Sequence, residues 1–214
     1  MDQAANEIGE SVASEIRDQY RSLWEWRRSV SDLYARVRNM ANAAEAFEMW
    51  RREREALFLR HPQTPLRRGD SPPRYFAYDP TLRFHVGISA SLDRTPYHLP
   101  AGGDGEVRLE PFGVTNGLRS RLGGELILYW IGGYGGGVFL PFLDATCGET
   151  TFHGGRYVLD TIKGADLGWT PEGRIILDFN FAYNPSCSYS DRWICPLAPG
   201  ANRLTARVEG GERL

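Results

Sequence analysis

Hydrophobic residues near the start of the chain recur in alternating steps of three and four: Leu23, Trp26, Val30, Leu33, Val37 and Met40, with Ile16 one heptad earlier. That spacing lines one face of an α-helix and forms a heptad seam. Arginines and acids fill the other positions, as on a solvated helix surface. Asn42, followed three residues later by Glu45, predicts a capping box that starts a second helix. Phe47, Trp50, Leu57 and Phe58 fall on one side of it, and Pro62 ends it at or near His61. The short link predicts an antiparallel helical hairpin over residues 1–61. Such a hairpin covers a sheet face or, through its long seam, meets a second copy of the chain in a homodimer.

Residues 62–73 shift to Pro, Arg and Gly and predict a linker or wrapping loop. From residue 74 the pattern is one of short strands and turns. Strands are expected over 82–88, 106–112, 125–131, 138–143 and 174–183, with weaker signals at 156–159 and 203–208. Residues 125–131, ELILYWI, are apolar on both faces and should be central. In the 174–183 strand, Ile175, Leu177, Phe179, Phe181 and Tyr183 alternate with Ile176, Asp178, Asn180, Ala182 and Asn184. Period two puts a greasy face opposite a face with one carboxylate and two amides. No helical pattern separates these strands. The expected fold class is therefore α+β, with the N-terminal hairpin packed on an antiparallel β-barrel or β-sandwich body over 74–214.

Composition narrows the partners more than the chemistry. Of 214 residues 42% are hydrophobic, enough for a sizeable core, and the formal net charge is −2. Nothing in that balance favours nucleic acid or an anionic membrane. The first residues carry neither a basic start nor an apolar run, and no stretch reaches the ~20 apolar residues of a membrane helix. A soluble, cytoplasmic protein is expected, with its three cysteines reduced.

Several groups could carry chemistry. The glycine run 132–137 lies between two strand patterns, so it predicts a hairpin turn and not a phosphate loop, which needs a helix after it. The loop from Asp144 to Tyr157 is polar and follows a strand directly, a common place for a site. It offers Asp144, Cys147, His153, Arg156 and Tyr157. Asp178 and Asn180 share a strand face about 7 Å apart. A buried carboxylate there must be paired or protonated, and Arg156 is the natural partner. Each group also has a purely structural reading: Asp144 as a backbone cap, Arg156 and Asp178 as a buried ion pair. Cys187 and Cys195 match no zinc spacing, so no metal is expected, and no cofactor motif appears. Lys163, the only lysine, reads as a loop residue.

The runs FLDATCGETTFHGGRYVLDT, ILDFNFAYNPSC and CPLAPGANRLTARVEGGE carry motifs of the form D-x-T-x-G, G-R-[YF], L-D-F-N-x-A-Y-N-P-x-C and C-P-L-x-P-x-x-N-R-L. With these the chain resembles the mainly bacterial domain-of-unknown-function family DUF1684 over about residues 125–214. The front half resembles a shorter branch, without the extra N-terminal β-rich segment opening near a W-L-x-L-x-G-L-x-W run. The resemblance implies a site map and no particular reaction. The expectation is a small-molecule-binding barrel, with non-redox acid–base catalysis (hydrolysis, cyclisation or isomerisation) as an option. Asp144 and Asp178 are the acid/base candidates. Arg156, Tyr157, Asn180, Asn184 and His153 are the ligand-binding candidates. The alternative is a non-catalytic ligand-binding or scaffolding protein whose hairpin docks a partner.

Overall fold

The computed structural model describes residues 2–100 and 105–214, with side chains from residue 12 onward. Two helices, α1 (Asp2–Asn39) and α2 (Ala43–Arg60), form the hairpin. Asn42 caps α2, its Oδ1 accepting from the backbone N–H groups of Ala44 and Glu45 at 3.0 and 3.2 Å. Glu45 reaches back to the Asn42 side-chain amide at 3.1 Å, a variant of the reciprocal box. α2 ends at Arg60, with His61 extended ahead of Pro62.

Among the described residues nine strands follow: β1 (Arg74–Tyr75), β2 (Arg83–Ala90), β3 (Tyr97–Pro100), β4 (Glu106–Asn116), β5 (Ile127–Ile131), β6 (Gly137–Phe142), β7 (Arg156–Asp160), β8 (Ile175–Asp178) and β9 (Glu212–Arg213). A one-turn helix, α3 (Arg119–Leu122), joins β4 to β5. Seven strands make one antiparallel sheet in the order β7-β6-β5-β4-β2-β8, with β3 beside β4, and β1 pairs with β9 separately. Tyr157 and Tyr183 exchange backbone hydrogen bonds of 2.9 and 3.0 Å, which ties β7 to the chain just past β8. The sheet thereby curls into a nearly closed barrel, and this is an α+β fold.

Two apolar clusters flank the sheet. One, with Val86, Leu126, Leu128, Leu140, Phe142, Ile175, Leu177 and Phe179, fills the barrel. The other lies under the hairpin, where Leu33, Val37, Phe47 and Trp50 meet Leu109, Tyr129, Phe139, Tyr157, Phe181 and Tyr183. β5 feeds both, Leu128 inward and Tyr129 outward, as its two-sided apolar pattern requires. The glycine run is a hairpin turn with Ile131 opposite Gly137. A Cβ on Gly136 would collide with the Ile131 carbonyl.

Three expectations need correction. The strand over 174–183 stops at Asp178 because the Asp178 side chain accepts from the Asn180 backbone N–H at 3.0 Å and turns 179–181 into a 3-10 helix. The alternation is lost there: Phe179 and Ala182 enter the barrel, while Phe181 and Tyr183 face the hairpin. Residues 203–208 form no strand, only a single parallel bridge between Arg203 and Leu143. β3 was not foreseen, being short and ending in Pro100.

Candidate functional site

The predicted residues separate into three networks. In the first, Asp144 Oδ2 accepts from Thr146 N–H at 3.1 Å, Thr146 Oγ1 at 2.7 Å and Val208 N–H at 2.8 Å. Its Oδ1 faces Arg156 Nη2 at 3.4 Å. Arg156 is 0% exposed and donates to the carbonyls of Val208, Gly210 and Glu212. Its guanidinium lies 5.1 Å from the Phe142 ring centre. This buried pair clamps the 208–212 segment onto the barrel, and Arg156 has no surface to offer an anion.

In the second network, Asp178 pairs with Arg83 at 3.1 Å, not with Arg156 as expected. Its Oδ1 takes both the backbone and the side-chain N–H of Asn180. Asn180 in turn holds both ends of the Asp79 main chain, accepting from N–H at 2.9 Å and donating to C=O at 2.8 Å. Burial raises the Asp178 pKa, against hydrogen bonds from Asn180 and Arg83 that lower it. The pairing failed because the 3-10 turn directs the Asp178 carboxylate back into its own turn and toward β2. His153 is exposed, its ring tilted against that of Phe152 with centres 4.4 Å apart.

The third network was only partly foreseen. Asn184 donates its backbone N–H to Glu212 Oε2 at 2.6 Å, and its Nδ2 lies 3.4 Å from the Tyr189 hydroxyl. Asn184 is 3% exposed, and its buried Oδ1 has no hydrogen-bond partner among the described residues. Glu212, 0% exposed, also accepts from the Tyr189 hydroxyl at 2.6 Å and from Arg54 Nε on α2. Arg54 stacks against Phe58 at 4.5 Å and Tyr183 at 4.9 Å. Tyr183 reaches Asp160 Oδ2 at 3.3 Å, and Lys163 faces the same oxygen at 3.7 Å. Lys163 also lies 5.7 Å from the ring centre of Tyr157, whose hydroxyl donates to Pro196 C=O at 2.6 Å. Burial raises the Tyr183 and Tyr189 hydroxyls far above the usual phenol range, with Asp160 and Glu212 adding to it.

Four residues of this network, Arg54, Lys163, Tyr183 and Asn184, line a cavity of ≈ 80 Å³, partly open to solvent, where the hairpin meets the barrel. Trp26, Tyr34 and Phe58 wall it from the helices, Tyr183 and Asn184 from the barrel, and Arg27, Arg54 and Lys163 bring positive charge. Of the predicted set only Asn184 lines it. Arg54 and Glu212 were missed because an arginine on an arginine-rich helix carries no distinguishing pattern. One signal was available: Gly210 and Gly211 just before Glu212. Gly211 has φ +74°, and a Cβ there would strike the Ala182 backbone. Close approach at this point is what seats Glu212.

The three cysteines are free thiols. Burial and the neighbouring Cys195 push Cys187 up to about 12, and burial raises Cys147. Neither is a thiolate near neutral pH. Among the described residues no three His, Cys, Asp or Glu side chains stand together to hold a metal, and no helix is long and apolar enough to cross a membrane.

No curated protein matches the chain. The chain is similar to the solution NMR structure of an uncharacterized protein from Haloarcula marismortui, with 28% identity, a TM-score of 0.55, and coverage of 79% of this chain and 93% of that one. The model of the family described as "Protein of unknown function (DUF1684)" matches residues 73–213, which takes in the barrel wall of the cavity and Glu212 and leaves out the hairpin wall. By that match and by its motifs, the chain belongs to the DUF1684 family.

Proposed function

We propose that the protein binds a small organic molecule in the cavity between the hairpin and the barrel. One observation carries the reading: Arg27, Arg54 and Lys163 line a single space walled by Trp26, Tyr34, Phe58 and Tyr183. Arg54 Nε is engaged by Glu212, and among the described residues no hydrogen bond reaches its two Nη atoms. The role is binding and not acid–base catalysis, since the hydrogen bonds of Asp144 and Asp178 are spent on their own turns and on Arg156 and Arg83, and neither lines the cavity.

Thermal-shift measurements with small carboxylates and inorganic phosphate test this. At least one probe should raise the melting temperature of the full chain and lose that effect in the Arg27→Ala/Lys163→Ala variant. Both residues are partly exposed, so the variant should keep the fold. Shifts that survive the double substitution would place binding elsewhere.

Self-association through α1 is a second reading. α1 outruns α2: Gln63, just past α2, hydrogen-bonds Ser22 at 2.8 Å, so the residues before Gln19 extend beyond the hairpin. On that stretch Val12 and Ile16 are about half exposed, and Tyr20 and Trp24 are 67% exposed, at four-residue steps. Residues 2–15 hold four acids and no base, while 17–28 hold four arginines and two acids. An antiparallel second copy would cover the apolar band and set opposite charges against each other. Sedimentation should find a dimer that Ile16→Glu dissociates. A monomer at all concentrations would remove this reading.

A further inference from the structure

Resting on the cavity as the binding site, we infer that its ligand is a short aliphatic carboxylate of two or three carbons, held by the Nη atoms of Arg54. Size sets the first bound. The cavity measures ≈ 80 Å³. That is the liquid share of roughly three water molecules, whereas an apolar cavity that takes up benzene measures about 150 Å³. A ring is too large for this space, and an acid of two or three carbons is not.

Charge sets the second bound. Arg54 lines the cavity with its side chain only 10% exposed. Glu212 takes its Nε; among the described residues no hydrogen bond reaches either Nη, and neither is sealed from solvent. On a side chain this buried, that open surface belongs to the cavity. The two Nη atoms side by side match the two oxygens of a carboxylate. Along the lining, Glu212 balances Arg54 and Asp160 balances Lys163, while Arg27 forms no ion pair among the described residues. One positive charge is left over, which a monoanion neutralises and a phosphate dianion overshoots. The walls set the third bound. Trp26, Val30, Phe58 and Ala165 share the lining with the three cations, so the ligand is charged at one end and apolar at the other. A tetrahedral oxyanion turns oxygens toward those apolar groups with no donor to meet them, and burying an unpaired acceptor is costly. A methyl or ethyl tail buries there favourably, each CH₂ tightening binding about fourfold until the space is full.

Calorimetric titration of the full chain with formate, acetate, propionate, benzoate and inorganic phosphate tests the class. Affinity should rise from formate to acetate or propionate, and benzoate and phosphate should bind about tenfold more weakly than the best acid. Arg54→Lys keeps a charge opposite Glu212 and loses the fork, so acetate should weaken about tenfold. Trp26→Ala removes a partly buried wall and should raise benzoate affinity relative to acetate, a gain that a misfolded variant does not show. Benzoate or phosphate binding best, or acetate binding unchanged in Arg54→Lys, overturns the inference; if that binding is still lost in Arg27→Ala/Lys163→Ala, the cavity stands. If no probe binds, or binding is indifferent to every variant, the cavity reading falls as well. Circular dichroism of each variant confirms the fold, and the Trp26→Ala gain remains readable if Arg54→Lys unfolds.

Discussion

Arg54 on α2 and Glu212 on β9 form an ion pair whose side chains are 10% and 0% exposed. The carboxylate has no bulk solvent to fall back on, and its other oxygen already holds Asn184 N–H and the Tyr189 hydroxyl. One acid therefore joins the hairpin, the β8 corner and β9. Removing it leaves a buried guanidinium uncompensated.

Glu212→Ala should destabilise the chain by about 3–5 kcal/mol, the usual cost of breaking a buried pair from one side. Arg54→Ala should cost a similar amount. The double variant should cost clearly less than the sum, because the second substitution removes the stranded charge that the first created. Urea denaturation of the four proteins closes the cycle. Strict additivity would mean the two residues stabilise the fold independently.

A glycine pair tests how Glu212 is seated. Gly211→Ala meets both a positive φ of +74° and the Ala182 backbone. Gly173 has φ +76° with open space around it. Gly173→Ala should cost only the left-handed backbone strain, about 1–2 kcal/mol. Gly211→Ala should cost distinctly more. Equal losses in chemical denaturation would show that close approach at Gly211 contributes nothing.

The reading of the chain by period worked wherever one face was uniformly buried. The α1 seam from Leu23 to Met40, the two-sided apolar β5 and the Asn42 cap all follow from local pattern, and the structure has them, whereas Ile16, one heptad earlier, is about half exposed. It failed at Asp178. There a side chain outcompeted the strand ladder for a backbone N–H, and period two stopped being informative two residues before Asn180. The family-like motifs pointed to Asp144, Arg156 and Asn180, which hold loops and the C-terminal segment in place. The cavity instead draws on Trp26, Arg27 and Arg54 from helices whose composition looks like ordinary surface. Long-range juxtaposition of that kind leaves no local trace; the Gly210–Gly211 pair was the nearest thing to one.

Asp178 gives the fold a pH signature. Its folded pKa is raised by burial above the unfolded carboxylate value. The native state therefore holds the proton more tightly, and the stability this contributes is present below the unfolded pKa and lost as pH rises through the folded one. Asp178→Asn removes that titration. From about pH 3 to about pH 7, the stability of the natural chain should fall relative to Asp178→Asn. Parallel denaturation series at several pH values check the slope. A gap that widens in favour of Asp178 with rising pH would mean the Arg83 and Asn180 contacts outweigh burial.

The location of the site is decided by mapping where a ligand touches the chain. In amide and indole NMR spectra titrated with acetate, the saturable shifts should gather on the Trp26 indole N–H and on the backbone of 163–165 and 183–186. Shifts centred on Asp144, Arg156 or Asp178 instead, or no saturable shift with any small anion, would contradict the account.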